Sequence, residues 1–184
     1  SDVDEARKTV KKILDESEET LERVRRELER ILRDSERTLK RVEERVRRIL
    51  RDLERELRKL PEDDKLKELE RRVREATKDV ERMLDEDRKR NDKARRELKK
   101  VLDENRRKNK KVMDDAEKIL RETTDREEID KVLKEIRERV ERSKKHLEDV
   151  LDRLRKIIEE SKRHVEKVLE KLEKIVKELK DELK

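Results

Sequence analysis

Apolar residues recur at intervals of three, four and seven along most of the chain, and the pattern returns every 18 residues. In the first third of the chain, for example, Val10, Leu28 and Val46 occupy one repeat position. An α-helix has about 3.6 residues per turn, so 18 residues complete five turns and return to the same face. The pattern therefore predicts long amphipathic helices, each with one apolar stripe to bury.

Two short stretches interrupt this pattern and divide the chain into three segments. Pro61 lacks an N–H and restricts the residue before it, so it ends the first helix and suits the first turn of the second. At the second break, Thr124 with Glu127, or Asp125 with Glu128, is spaced as a capping box that begins a third helix. The predicted helices cover residues 2–60, 63–122 and 126–183.

Three helices of about 58 residues with short connections predict an all-α, up-down-up bundle. The whole chain, residues 1–184, is expected to form one domain. An 18-residue repeat matches the natural period of the α-helix, whereas a strict seven-residue repeat would force a left-handed supercoil. We therefore predict a straight, untwisted three-helix bundle.

Polar residues interrupt the apolar stripe at matching repeat positions, and they predict two polar layers inside the bundle. Because neighbouring helices run antiparallel, residues of the first two helices whose numbers sum to about 123–126 should lie level. Layer 1 comprises Ser17, Thr20, Asn105, Asn109, Ser143 and His146. Layer 2 comprises Ser35, Thr38, Asp87, Asn91, Ser161 and His164.

The two predicted layers have the same composition except that Asn105 of layer 1 is replaced by Asp87 in layer 2. A buried polar group without a partner costs about 1–3 kcal/mol, so the members of each layer should bond to one another. Such layers fix helix register, because a shifted helix would bury them against apolar side chains. The alternative is that these residues are exposed helix positions, which the helical wheel does not favour.

The two histidines are the only ones in the chain, and each follows a serine by three residues. Burial would oppose protonation of His146, so we expect layer 1 to be the acid-sensitive layer. An ionised Asp87 beside His164 would instead favour the imidazolium. The alternative is that both histidines only complete the hydrogen-bond networks and give no useful response to pH.

The composition changes this picture little, although it is unusual. Charged residues make up 62% of the chain and apolar residues 29%, with no Gly, Cys, Phe, Tyr or Trp. High charge with few apolar residues is typical of disorder, but here the apolar residues form ordered stripes. The net charge is only +6, and no apolar run is long enough for a membrane-spanning helix or a signal peptide. The compartment is left open.

No enzymatic, cofactor or metal site is predicted. Ser161, His164 and Asp87 are the residue types of a serine hydrolase, but the chain has no Gly to build an oxyanion hole. Neither histidine has a second imidazole or a thiolate near it to complete a metal site. The locally basic segment 99–111 suggests nonspecific binding of nucleic acid or other anions, but without aromatic residues a solvated helix face fits it better.

The repeated Ser/Thr, Asn and Ser-x-x-His positions, the Glu/Lys/Arg surface and the LPEDD and TTDREEI connections resemble those of de novo designed helical bundles with buried hydrogen-bond networks. Some members of that family carry histidines for pH response. The resemblance implies a stable designed scaffold with no natural biochemical function, requiring no partner, specific nucleic acid or membrane. The alternative it implies is a pH-responsive block that assembles with its own copies into oligomers or filaments through surface contacts and loosens on histidine protonation.

Overall fold

The computed structural model describes residues 2–183 and contains three long α-helices. They are α1 (Asp2–Arg58), α2 (Asp64–Glu122) and α3 (Arg126–Glu182), and no strand occurs in this part of the chain. The three helices pack against one another, so the predicted all-α three-helix bundle is confirmed. The absence of supercoiling stays a prediction of the 18-residue repeat.

The connection between α1 and α2 is organised by Asp63 more than by Pro61. The Oδ1 atom of Asp63 accepts a hydrogen bond of 2.8 Å from the backbone N–H of Leu66, which makes Asp63 the N-cap of α2. Pro61 lies before this cap, and not in the first turn of α2 as predicted. The carboxylate of Asp63 satisfies one of the free N–H groups at the helix start, a task that proline cannot perform.

The connection between α2 and α3 is capped by Asp125. Its Oδ1 atom accepts a 3.0 Å hydrogen bond from the N–H of Glu127, and its own N–H donates to Thr123 Oγ1 at 3.3 Å. The hydroxyl of Thr123 bonds to the carboxylate of Glu128. Of the two predicted capping residues the structure therefore uses Asp125, and Glu128 bonds to the Thr123 hydroxyl instead of the cap's N–H.

The chain forms two compact units, each built from segments of all three helices. Unit 1 combines the chain up to Arg30 with Arg95–Arg155, and unit 2 combines Ile31–Ala94 with the chain from Lys156 onward. Layer 1 falls in unit 1 and layer 2 in unit 2. The assignment of residues 1–184 to one domain stays a prediction.

Each unit buries the apolar stripe that the repeat predicts. In unit 1, Leu21, Leu28 and Leu147 are almost wholly buried, and in unit 2 Leu53 and Leu172 are equally so. Each such side chain contributes about 1.5–3 kcal/mol of hydrophobic free energy relative to an exposed one. The stripe is narrow, and no described helix is apolar enough over a sufficient length to cross a membrane.

Candidate functional site: the two polar layers

Asp87 is the centre of layer 2. Its side chain is only 1% exposed, and its carboxylate accepts hydrogen bonds from three side chains. Oδ1 accepts from Ser161 Oγ at 3.0 Å and from Arg90 Nη1 at 2.8 Å, while Oδ2 lies 2.8 Å from His164 Nδ1. Ser161 and His164 belong to α3 and Arg90 to α2, so the carboxylate ties these two helices together.

The donors around Asp87 indicate how its charge and the His164 tautomer are arranged. An ionised carboxylate can only accept hydrogen bonds, and the three neighbouring groups can all donate. His164 then carries a proton on Nδ1 whether its ring is neutral or charged. The guanidinium of Arg90 supplies a positive charge that offsets the cost of burying the carboxylate. Protonation of His164 would leave its hydrogen bond to Asp87 intact.

The same layer contains a second pair, between α1 and α2. The Nδ2 atom of Asn91 donates to Ser35 Oγ at 3.1 Å, and the Ser35 hydroxyl lies 3.2 Å from Asn91 Oδ1. Both residues are buried. Thr38 is buried as well, but its hydroxyl donates to the backbone carbonyl of Asp34 at 3.0 Å. The threonine therefore satisfies itself within its own helix and does not bridge to α2.

Layer 1 repeats the α1–α2 half of this arrangement. Asn109 Nδ2 donates to Ser17 Oγ at 3.0 Å, and the serine hydroxyl lies 3.4 Å from Asn109 Oδ1. The Thr20 hydroxyl donates to the carbonyl of Glu16 at 3.1 Å, as Thr38 does to its own helix. Ser17 is buried and Asn109 is half-buried.

The α2–α3 half of layer 1 is not formed, which corrects the prediction made for His146. The His146 side chain is exposed and Ser143 is half-buried. Asn105 is buried, yet its Oδ1 atom has no hydrogen-bond partner among the residues of the structure that are described. His146 therefore lacks the burial on which we based the acid sensitivity of layer 1. The physical reason is that an amide attracts an imidazole less strongly than the carboxylate of Asp87 does.

The arrangement in layer 2 differs from that of a serine hydrolase. Ser161 Oγ and His164 Nδ1 both bond to Asp87, whereas a hydrolase requires the serine to bond to the other ring nitrogen of the histidine. The described residues contain no group of three or more His, Cys, Asp or Glu side chains placed to hold a metal ion. The layer is built to satisfy buried polar groups.

Sequence reasoning missed two charged residues beside layer 2. Arg90 lies three residues after Asp87, which is a spacing that places both on one helix face and could have been used to find it. Lys162 of α3 donates a 2.8 Å hydrogen bond to Asp34 of α1, and this bond is the main cause of a lowered pKa for Asp34. No sequence signal identified this pair, because it joins helices that are distant in sequence.

Ion pairs also occur along single helices. In unit 1, Arg25 hydrogen-bonds to Glu22 and thereby lowers the pKa of that carboxyl, and in unit 2 Arg71 does the same for Glu68. The first pair is half-buried and the second exposed, and both lie at the surface, so each contributes little to stability. The buried contacts of Asp87 are therefore the most distinctive polar feature of the chain. No protein-family model, characterised protein or solved structure matches this chain.

Proposed function

We propose that the chain is a designed structural scaffold, and that its buried polar layers specify how its helices pair. The observation that carries this proposal is the Asp87 carboxylate, which is almost fully buried and accepts hydrogen bonds from three side chains. The complete absence of Gly and aromatic residues and the 18-residue repeat support a designed origin, since natural domains average several per cent of Gly and contain some aromatic residues.

In layer 2, α2 presents a different polar residue to each of its two neighbouring helices. Asn91 pairs with Ser35 of α1, whereas Asp87, four residues earlier, pairs with Ser161 and His164 of α3. If α1 and α3 exchanged sides of α2, the carboxylate would face α1 and lose its imidazole partner. Short connections already restrict sliding of the helices, so we infer that the layer mainly specifies which neighbour lies on which side.

Replacement of the whole of layer 2 by apolar residues tests this proposal. The variant Ser35→Ala/Asp87→Leu/Asn91→Leu/Ser161→Ala/His164→Leu should keep or increase its melting temperature, because buried polar networks stabilise less than well-packed apolar groups. It should lose its unique arrangement. The chain has no Cys, so spin labels on cysteines introduced at the exposed positions Arg37, Lys89 and Arg163 can report pairwise distances without interference.

The unmodified layer should give one narrow distance for each labelled pair, and the apolar variant should give broad or split distributions. Single narrow distributions in both proteins would show that the apolar stripes alone specify the arrangement, and the proposal would be wrong. The corresponding replacement of Ser17, Asn105 and Asn109 in layer 1 is the matched control, and we expect a smaller effect because fewer bonds are lost.

A pH-responsive building block that assembles with its own copies is our second proposal, because layer 2 contains a titratable pair. The His164–Asp87 contact joins α3 to α2 at a buried carboxylate, so a change of charge on either group should alter how these helices pack. Sedimentation at about pH 7.5 and about pH 4.5 tests both parts of the proposal. It predicts a change in chain number or compactness that Asp87→Asn abolishes and His146→Gln preserves, and equal sedimentation at both pH values would contradict it.

A further inference from the structure

Unit 1 contains a groove between α2 and α3 whose lining residues are mostly cationic or polar, although their aliphatic parts form most of its surface. Lys108, Lys111, Arg139, Arg142, Ser143 and His146 form its walls. Val112 adds an apolar contribution, and no carboxylate lines this groove. The groove begins beside the incomplete half of layer 1, where Ser143 and His146 have no counterpart to Asp87.

Three of the four cations of this groove form no ion pair within the described residues, although Lys111, Arg139 and Arg142 also line the adjoining surface that contains Asp115, Glu135 and Glu138. Arg139 forms a 3.2 Å ion pair with Asp115, but Lys108, Lys111 and Arg142 have no ion-pair partner within residues 2–183. Many other arginines of the chain have such partners, for example Arg25 and Arg106. Three unpaired cations in one concave surface repel one another, so a bound anion would relieve this repulsion.

The repeat provides an internal comparison, because the same positions in unit 2 carry a different charge. The position of Arg142 is occupied there by Glu160, and that of Arg139 by Ile157. Arg90, which corresponds to Lys108, is engaged with Asp87. The groove of unit 1 is lined by four permanent cations, whereas the corresponding positions of unit 2 include two cations and one carboxylate. The excess of positive charge at these positions is therefore specific to unit 1, because the 18-residue repeat does not reproduce it in unit 2.

We propose that this groove binds a small multivalent oxyanion of the phosphate class. Arg142 and Arg139 provide guanidinium groups whose paired N–H donors match two oxygens of one phosphate, and the two lysines act as point charges. Ser143 and His146 supply neutral donors at the end of the groove near layer 1. The adjoining surface contains Asp115, Glu135 and Glu138, which limits a long polyanion and favours a compact ligand.

The two histidines allow a direct test by imidazole NMR on the full chain, since each unit contains one. Inorganic phosphate and pyrophosphate are titrated at constant pH in about 20 mM buffer, where electrostatic screening is weak, with sodium chloride at matched ionic strength as reference. The proposal predicts a saturable shift of the His146 signal, tighter binding of pyrophosphate than of phosphate, and no saturable shift of His164. Equal shifts of both histidines, or a His146 shift that chloride reproduces, would overturn it.

Matched charge reversals identify the groove itself as the site. Arg142→Glu introduces the residue found at the corresponding position of unit 2 and should weaken pyrophosphate binding at least about tenfold. Lys93→Glu makes a reversal of the same size at the unit 2 position corresponding to Lys111 and should change the affinity less than about twofold. Both positions are exposed, so unchanged helical circular dichroism is expected. Equal weakening by the two variants would show that binding depends only on the net charge of the chain, and it would contradict the proposal.

Discussion

Asp87 and Asn105 occupy the same position of the repeat on α2, yet they organise their surroundings differently. Asp87 accepts hydrogen bonds from Ser161, His164 and Arg90. Asn105 is 3% exposed, and its Oδ1 atom has no partner among the described residues. A carboxylate forms charge-assisted hydrogen bonds that are roughly twice as strong as neutral ones. The comparison indicates that the α2–α3 half of the polar pattern forms only where a carboxylate attracts the other members, whereas the neutral Ser–Asn pairs of α1 and α2 form in both layers.

The largest effect should come from removing the carboxylate at the centre of layer 2. Asp87→Ala leaves Ser161 and His164 without their acceptor, and we expect the free energy of unfolding to fall by about 3 kcal/mol. Denaturation by urea measures this change. Asp92→Ala, on the exposed face of the same helix, should change stability by less than about 0.5 kcal/mol. Because alanine favours a helix more than aspartate does, a loss of similar size in both variants would show that the effect is not specific to the network of Asp87.

A gain in stability is expected from a substitution at the corresponding position of layer 1, Asn105. Asn105→Leu removes a buried amide oxygen that has no partner, so it should raise the free energy of unfolding by about 1–2 kcal/mol. Asn91→Leu is the matched control, because it removes an amide that bonds to Ser35 and should destabilise the protein. If Asn105→Leu destabilised the chain as much as Asn91→Leu, Asn105 would have a partner in solution, and the contrast between the layers would fail.

The fold was predictable because it depends on a long and regular pattern. Apolar periodicity located all three helices, and the breaks at Pro61 and Thr123 placed their ends within a few residues. We expected residues of α1 and α2 to lie level when their numbers sum to about 123–126. This expectation also paired Ser17 with Asn109 and Ser35 with Asn91, as the hydrogen bonds show. These features are set by geometry that repeats along each helix and by the antiparallel direction of neighbouring helices.

The details of the layers were less predictable because they depend on competition between partners. The wheel placed Thr20 and Thr38 in the layers, but their hydroxyls bond to their own helices, an alternative that needs no neighbour. It also placed His146 inside, but this position lies at the edge of the stripe, where the ring is exposed and where even His164, bonded to Asp87, is 37% exposed. Periodicity shows which face of a helix a side chain lies on, but it carries no information about how strongly that side chain will hydrogen-bond to its neighbours.

A third prediction compares the α1–α2 pairs, which occur in both layers. Ser35→Ala leaves the buried Asn91 amide without its partner and should cost about 1–2 kcal/mol. Ser17→Ala should cost about half as much, because Asn109 is only half-buried and water can replace the lost bond. Thermal and urea denaturation of the two variants measures the difference. Equal losses would indicate that burial does not distinguish these two pairs.

The smallest effect concerns the surface pair of Asp34 and Lys162 beside layer 2. The hydrogen bond from Lys162 lowers the pKa of Asp34 below its ordinary value of 3.8, so the pair stabilises the fold above that pH. This contribution is lost as the pH falls through the lowered pKa of the folded protein. Lys162→Gln should return the pKa of Asp34 toward 3.8, as measured by carboxyl NMR. Lys167→Gln, on an exposed part of α3, should leave it unchanged.

Two double-mutant cycles test most directly whether Asp87 organises its layer. One cycle uses Asp87 and His164 of layer 2, and the other uses Asn105 and His146 at the same repeat positions of layer 1. Alanine variants of Asp87 and His164, singly and together, should give a coupling energy of about 1 kcal/mol, a modest value because the His164 side chain is 37% exposed. The same cycle on Asn105 and His146 should give a coupling within about 0.3 kcal/mol of zero. Equal couplings in the two cycles, or none between Asp87 and His164, would contradict the account.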